Sequence, residues 1–152
     1  MPTHYSGTRA EMRTLDTLIK LTRCTNSLFT RLSERNTLAD LTPSQFAVLE
    51  ALYHLGSMTQ GEVSTKVLKS GSNMTTVIDN LERDGLVRRE RDAKDRRVIY
   101  VHLTGAGKKK LEAVFPGHIA ALVEEFSVLS ASEQEMLGSL CKKLGKGIAS
   151  CV

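Results

Sequence analysis

Between positions 8 and 35 the apolar residues fall at Leu15, Leu18, Ile19, Leu21, Leu28, Phe29 and Leu32. Steps of three and four return a side chain to the same side of a helix, so this spacing predicts one long amphipathic helix with a polar interruption at 22–26. Thr42 followed by Pro43 reads as an N-cap and first-turn pair, since proline lacks an N–H that a first-turn residue could not bond within the helix anyway. Phe46, Leu49, Leu52 and Tyr53 then give a second helix its apolar face, ending near Gly56. Thr59 with Glu62 has capping-box spacing, and Val63 and Val67 supply the contacts of a short third helix.

A fourth helix is predicted over 72–84, where Met74, Val77, Ile78 and Leu81 form a single stripe and Gly85 stands where a left-handed cap would close it. The period then shortens to two. Leu86 and Val87 enter a strand, the chain turns at 92–95, and Val98 to Leu103 return with β-branched residues, which predicts a hairpin with a charged tip. Thr104 opens another helical stretch through Leu111, Val114, Phe115, Ile119, Leu122, Val123 and Phe126, with a kink expected at Pro116 and Gly117. A last helix starts at 130–132 and uses Met136, Leu140 and Leu144. There is no internal repeat and no low-complexity linker.

Helix, short helix, turn, amphipathic helix and charged hairpin is the order of a winged helix-turn-helix, whose second motif helix enters the major groove of DNA. The predicted class is mainly α with a small β-hairpin wing, in a single domain 1–152 whose winged helix-turn-helix occupies 42–104. On the fourth helix the stripe faces inward at 100° per residue, which leaves Ser72, Thr76, Asp79 and Arg83 opposite it and Asn73 and Asn80 on the flanks. Asn73 and Thr76 are short enough to reach base edges, while Ser70 and Ser72 suit phosphates near a helix N-terminus. The alternative reading of this face is an ordinary solvated side. The hairpin adds Arg88, Arg89, Arg91, Lys94, Arg96 and Arg97 within 88–97, against three acidic residues. Such a wing can insert a guanidinium into the minor groove and hold flanking phosphates with the others. Charge for solubility is the alternative there. Asp92 and Asp95 are expected to orient neighbouring arginines.

Composition narrows the classes further. A chain of 152 residues can bury a core without staples, and 41% apolar with 25% charged residues excludes disorder and membrane insertion. No stretch reaches the roughly 20 apolar residues of a membrane span, and the N-terminus lacks a signal-peptide layout, so a cytoplasmic location is expected. Cys24, Cys141 and Cys151 cannot all pair, and none forms a Cys-x-x-Cys clip, so no disulfide framework, metal site or cofactor is suggested. The net charge of +4 is mild, and its clustering matters more than its size. Gly105-Ala106-Gly107-Lys108 lacks both P-loop spacing and the following Ser or Thr, and reads as a capped turn. The scattered His4, His54, His102 and His118 have no carboxylate or cysteine at ligand spacing, so no enzyme is predicted.

Thr42-Pro43-Ser44-Gln45-Phe46, Asp79-Asn80-Leu81-Glu82-Arg83-Asp84-Gly85-Leu86-Val87 and Asp92-Ala93-Lys94-Asp95-Arg96-Arg97, running on to Val101-His102-Leu103-Thr104, resemble the MarR family pattern in order and spacing over nearly the whole chain. His4-Tyr5-Ser6-Gly7-Thr8 resembles its MhqR-like, hydroquinone-resistance branch. The resemblance implies a triangular homodimer, interlocked through dimerisation helices at 1–38 and 105–152. It assigns Ser72, Asn73, Thr75 and Thr76 to the major groove and Arg96 and Arg97 to the wing, so the whole candidate set is Ser70, Ser72, Asn73, Thr75, Thr76, Arg83, Arg91, Lys94, Arg96 and Arg97. It further implies a repressor on a pseudo-palindromic operator in double-stranded DNA, released by a small phenolic or quinone effector whose binding residues the sequence does not identify. Two alternatives stand beside it. One is a redox-sensing repressor using Cys24, although that residue falls later on the first helix than the family's peroxide-sensing position, near Leu18. The other is an architectural DNA-binding protein.

Overall fold

The computed structural model describes residues 4–67 and 73–148. Its elements are α1 (Arg9–Glu34), α2 (Pro43–Leu55), β1 (Met58–Thr59), α3 (Gln60–Lys66), α4 (Met74–Arg83), β2 (Val87–Arg91), β3 (Ile99–Leu103), α5 (Gly105–Phe126) and α6 (Ala131–Lys146). Four helices start on reciprocal capping boxes: Thr8 with Glu11, Thr42 with Gln45, Thr59 with Glu62 and Ser130 with Glu133. Each satisfies helix-end N–H groups that would otherwise lack a partner, and such a cap contributes about 1 kcal/mol. Pro116 lies inside α5, and the helix continues through it.

Two compact units divide the chain, one spanning Asn36–His118 and the other combining the residues up to Arg35 with those from Ile119 onward. The first closes a core of its own: Leu49, Ile78, Leu81 and Leu111 are fully buried, with Val48, Val63, Val87 and Val101 among them. Burying one such side chain stabilises by about 1.5–3 kcal/mol. The predicted inward stripe of α4 is confirmed in Met74, Ile78 and Leu81, with Val77 half-buried. Leu111 and Val114 also belong to this core, so the first half of α5 serves the winged unit, whereas the sequence reading gives all of 105–152 to dimerisation. Around the core edge, Phe46, Tyr53, His54, Phe115 and His118 stack ring to ring at centroid distances of 4.8–6.1 Å. The Thr37 hydroxyl lies 2.9 Å from His118 Nδ1, and burial pushes this imidazole below its ordinary pKa.

The sheet has three antiparallel strands in the order β1-β3-β2, one more than the predicted hairpin. β1 pairs Met58 with Val101 and Thr59 with Tyr100, and β2 pairs Val87 with Leu103 through to Arg91 with Ile99. Two residues are too few to show a period of two in a sequence, which is why β1 escapes the pattern. A polar row runs across β3 and β2 from the residue that precedes β1. Ser57 Oγ, just before β1, is 2.7 Å from His102 Nδ1, while His102 Nε2 is 3.2 Å from Glu90 Oε2, which also accepts from Arg88 at 2.9 Å. Gly85 adopts φ 73° between α4 and β2, the left-handed conformation expected of it.

The second unit behaves differently. Glu125 of α5, 8% exposed, accepts from Arg31 Nε at 2.6 Å and Arg35 Nη2 at 2.8 Å, and Glu124 accepts from Arg35 Nη1 at 2.6 Å. The Arg31 hydrogen bond, helped by Arg35, holds Glu125 below the usual carboxylate range. Apart from this clamp and the buried Leu32 and Ala121, the unit exposes apolar side chains: Leu18 on α1, Ile119 and Val123 on α5, and Met136, Leu140 and Leu144 on α6. No residue of α6 is buried. Among the described residues no single helix is long and apolar enough to cross a membrane.

Candidate nucleic-acid interface

α4 begins two residues later than predicted because Asn73 acts as its N-cap: Asn73 Oδ1 accepts from Thr75 N at 3.1 Å and Thr76 N at 3.4 Å. The cap engages the carbonyl end of the side chain and leaves its amide group as a donor. Asn73 and Thr76 line an open concavity of about 360 Å³ with Thr42, Ser44, Gln45, Val77 and Asn80, so the N-termini of α2 and α4 present hydroxyls and amides on one surface. Thr75 is exposed one position away, its hydroxyl accepting from Gln60 Nε2 at 3.2 Å. Ser70 and Ser72 lie outside the described residues. Arg83, at the far end of α4, is exposed and sits 3.3 Å from Asp84.

The wing tip is a tight turn built by its aspartates. Asp92 Oδ1 accepts from the backbone N–H groups of Lys94 at 2.7 Å and Asp95 at 3.0 Å, so Asp92 shapes the turn instead of orienting an arginine. Asp95 does hold an arginine. Its Oδ1 accepts from Arg97 N at 3.0 Å and Nε at 3.1 Å, and its Oδ2 from Nη2 at 3.2 Å. That forked contact holds the Asp95 carboxyl below its usual range. The Arg97 side chain remains 91% exposed. Arg91 Nη1 donates to the Arg96 carbonyl at 3.2 Å, and Lys94 and Arg96 are exposed. Arg97 with Val98 and Ile99 also lines a concavity shared with Thr59, Gln60, Gly61 and Ser64 of the β1–α3 region, which brings the wing beside α3.

Two residues outside the candidate set connect these parts. Arg89 of β2, with 19% of its side chain exposed, places Nη1 2.7 Å from Asp79 and 3.2 Å from Glu82, and its Nε donates to Gln60 Oε1 at 3.2 Å. Its backbone N–H donates to Glu82 Oε2 at 2.7 Å. Sequence reading counts Arg89 among the basic residues of the hairpin. The available signal was the strand period: Arg89 shares the face of Val87 and so turns toward the helices.

The MarR family profile matches residues 41–99. The regulator MhqR of Bacillus subtilis (strain 168) is 35% identical over 133 residues, covering 88% of this chain and 92% of that protein. Among solved structures, a MarR family protein from Bacillus stearothermophilus superimposes with a TM-score of 0.66 at 32% identity, covering 88% of this chain and 94% of that one. Bordetella bronchiseptica BpsR, whose DNA binding is regulated by 6-hydroxynicotinic acid, gives a TM-score of 0.72 at 25% identity, with coverages of 83% and 98%. The chain belongs to the MarR family and is a winged-helix, DNA-binding transcriptional regulator.

Proposed function

We propose that a homodimer of this chain represses transcription from a pseudo-palindromic operator in the cytoplasm, and that an aromatic small molecule releases it. The reading rests on one observation: the capped start of α4, with Asn73, Thr75 and Thr76 exposed, belongs to the same compact unit as a wing that carries Arg91, Lys94, Arg96 and Arg97 at the surface. α4 lies in the major groove and reads base edges, the wing tip enters the minor groove or grips its phosphates, and Arg83 contacts the backbone. Dimerisation is supported by the open apolar residues of α1, α5 and α6, which need cover. An operator with half-sites one helical turn apart, roughly 34–36 Å, matches a twofold protein. The effector reading is supported by BpsR and its 6-hydroxynicotinic acid. Release is a population shift, so the effector binds the DNA-incompetent state more tightly.

Selection of bound sequences from random DNA, with sedimentation of the free protein, tests this. A symmetric consensus and a dimer support the reading; a monomer, or no sequence preference, refutes it, and the latter favours an architectural protein. Arg97→Ala then weakens operator binding and lowers the salt slope by about 1. Unchanged affinity with an intact dimer removes Arg97 from the interface. Screening phenols, quinones and oxidants for release completes the test. Because Cys24 and Cys141 are exposed, a thiol-reversible release that Cys24→Ser abolishes assigns the switch to Cys24.

A further inference from the structure

The basic residues of the hairpin are of two kinds. Arg88, Arg91, Lys94, Arg96 and Arg97 are exposed, whereas Arg89 is enclosed between the carboxylates of Asp79 and Glu82. Two carboxylates around one guanidinium leave a local charge of about −1, which repels a phosphate. Arg89 therefore serves another purpose, and its remaining donors show which. Nε reaches Gln60 Oε1 on α3 at 3.2 Å, and Nη2 lies 3.5 Å from the Thr75 carbonyl oxygen on α4. The same Gln60 passes its amide Nε2 to Thr75 Oγ1 at 3.2 Å.

This chain has a direction. Arg89 has only donors, so it requires the carbonyl end of Gln60, which turns the amide NH₂ toward Thr75. The Thr75 hydroxyl then accepts from Gln60 and keeps its own hydrogen free. One of the two lone pairs of the threonine oxygen is thereby occupied, which biases the hydroxyl toward donation outward, to acceptors such as purine N7, guanine O6 or thymine O4. We propose that Arg89 and Gln60 form a positioning clamp that orients the Thr75 hydroxyl and biases it toward donation, so that selectivity at one base position of each half-site depends on a guanidinium that does not touch DNA. This rests on the reading of α4 as the base-reading helix.

Three variants and one double variant test it, each checked for folding by thermal melting: Gln60→Ala, Arg89→Lys, Thr75→Ala, and Gln60→Ala with Thr75→Ala. Gln60→Ala is expected to keep the wild-type affinity for random DNA and its salt slope, while preference at one position per half-site falls by about 5- to 10-fold. Arg89→Lys retains the charge between the carboxylates but has no Nε donor for Gln60, and is expected to lose preference at the same position. The double variant loses no more than Thr75→Ala alone, because both changes remove one shared element. Additive losses in the double variant overturn the clamp. So does an equal weakening on operator and random DNA at unchanged salt slope, which makes Gln60 an uncharged phosphate contact beside Ser64 and Arg97. A wild-type consensus selected just as sharply by Gln60→Ala overturns the clamp alone. If the wild-type chain selects no consensus at all, the base-reading assignment of α4 falls first and takes the clamp with it.

Discussion

Gly107 lies in the first turn of α5, and replacing it with alanine sets two effects of opposite sign against each other. Exchanging glycine for alanine at a compatible helical position stabilises by about 0.4–1 kcal/mol through the unfolded chain. At Gly107, however, a Cβ would fall well inside van der Waals contact of the Leu86 carbonyl oxygen, 2.8 Å from Leu103 Cδ1 and 3.0 Å from the Leu86 carbonyl carbon. The Leu86 carbonyl cannot swing aside freely, because it accepts from Thr104 N at 3.1 Å, and Thr104 Oγ1 in turn donates to the Gly85 carbonyl at 2.6 Å and accepts from Gly107 N at 3.0 Å. Overpacking of this kind costs about 1–3 kcal/mol, and loosening one of these hydrogen bonds adds about 1 kcal/mol. The clash outweighs the gain, leaving a net loss of about 2 kcal/mol and a melting temperature lower by about 4–8 °C for a chain of this length. Gly105→Ala is the control, since nothing lies within 4 Å of its added Cβ, and it is expected to raise the melting temperature slightly. Scanning calorimetry of both variants at one protomer concentration decides between the two effects. A Gly107→Ala protein that melts at or above the wild type would show that α5 does not approach the base of the wing as described.

Two further outcomes follow from the same kind of reasoning. Asn73→Ser keeps an N-cap oxygen but removes the amide donor, so the melting temperature should stay within a degree or two while the ratio of operator to random-DNA affinity falls by about 5-fold or more; Asn73→Ala should also lose about 1 kcal/mol of stability, read from urea midpoints. Glu125 is held below its ordinary pKa by Arg31 and Arg35, so its contribution is present above the unfolded carboxylate value of about 4.3 and is lost as pH falls through the lower folded value. Glu125→Gln should therefore be less stable near neutrality and show a shallower decline in urea midpoint between about pH 5 and pH 3; parallel profiles would refute the assignment.

The helices were legible because their faces and caps are local. Met74, Ile78 and Leu81 sit at the spacing that a buried stripe demands, and each Ser or Thr cap stands three positions before its Glu or Gln. Gly85 and the hairpin after it were readable for the same reason. What escaped depends on partners distant in sequence. β1 is two residues long and exists only because β3 lies beside it, so Met58 and Thr59 carry no pattern of their own. The dual role of α5 was hidden because Leu111 and Ile119 share one helical period yet one is fully buried and the other 50% exposed. Asn73 was readable as a polar residue near a helix start, but whether its carbonyl was spent on the cap depended on where the helix began.

The arginines carry the sharper lesson, since sequence alone counts six basic residues in the hairpin and gives them one meaning. What separates them is where each carboxylate partner resides. Arg97 is paired with Asp95, two residues away on the same turn, with its guanidinium 91% exposed. Such a pair contributes little to stability in water, and breaking it disturbs no packing between elements, so a phosphate can displace the aspartate at small cost. Arg89 pairs with residues of α4 and hydrogen-bonds to α3, mostly shielded from water, so displacing its partners would detach the strand from both helices. In the proposed complex, a DNA backbone would therefore find one kind of arginine free to exchange its counter-charge and the other committed to holding α4. Carboxylates of the wing and of α4 thus divide the arginines between a role in the proposed contact and a role in support.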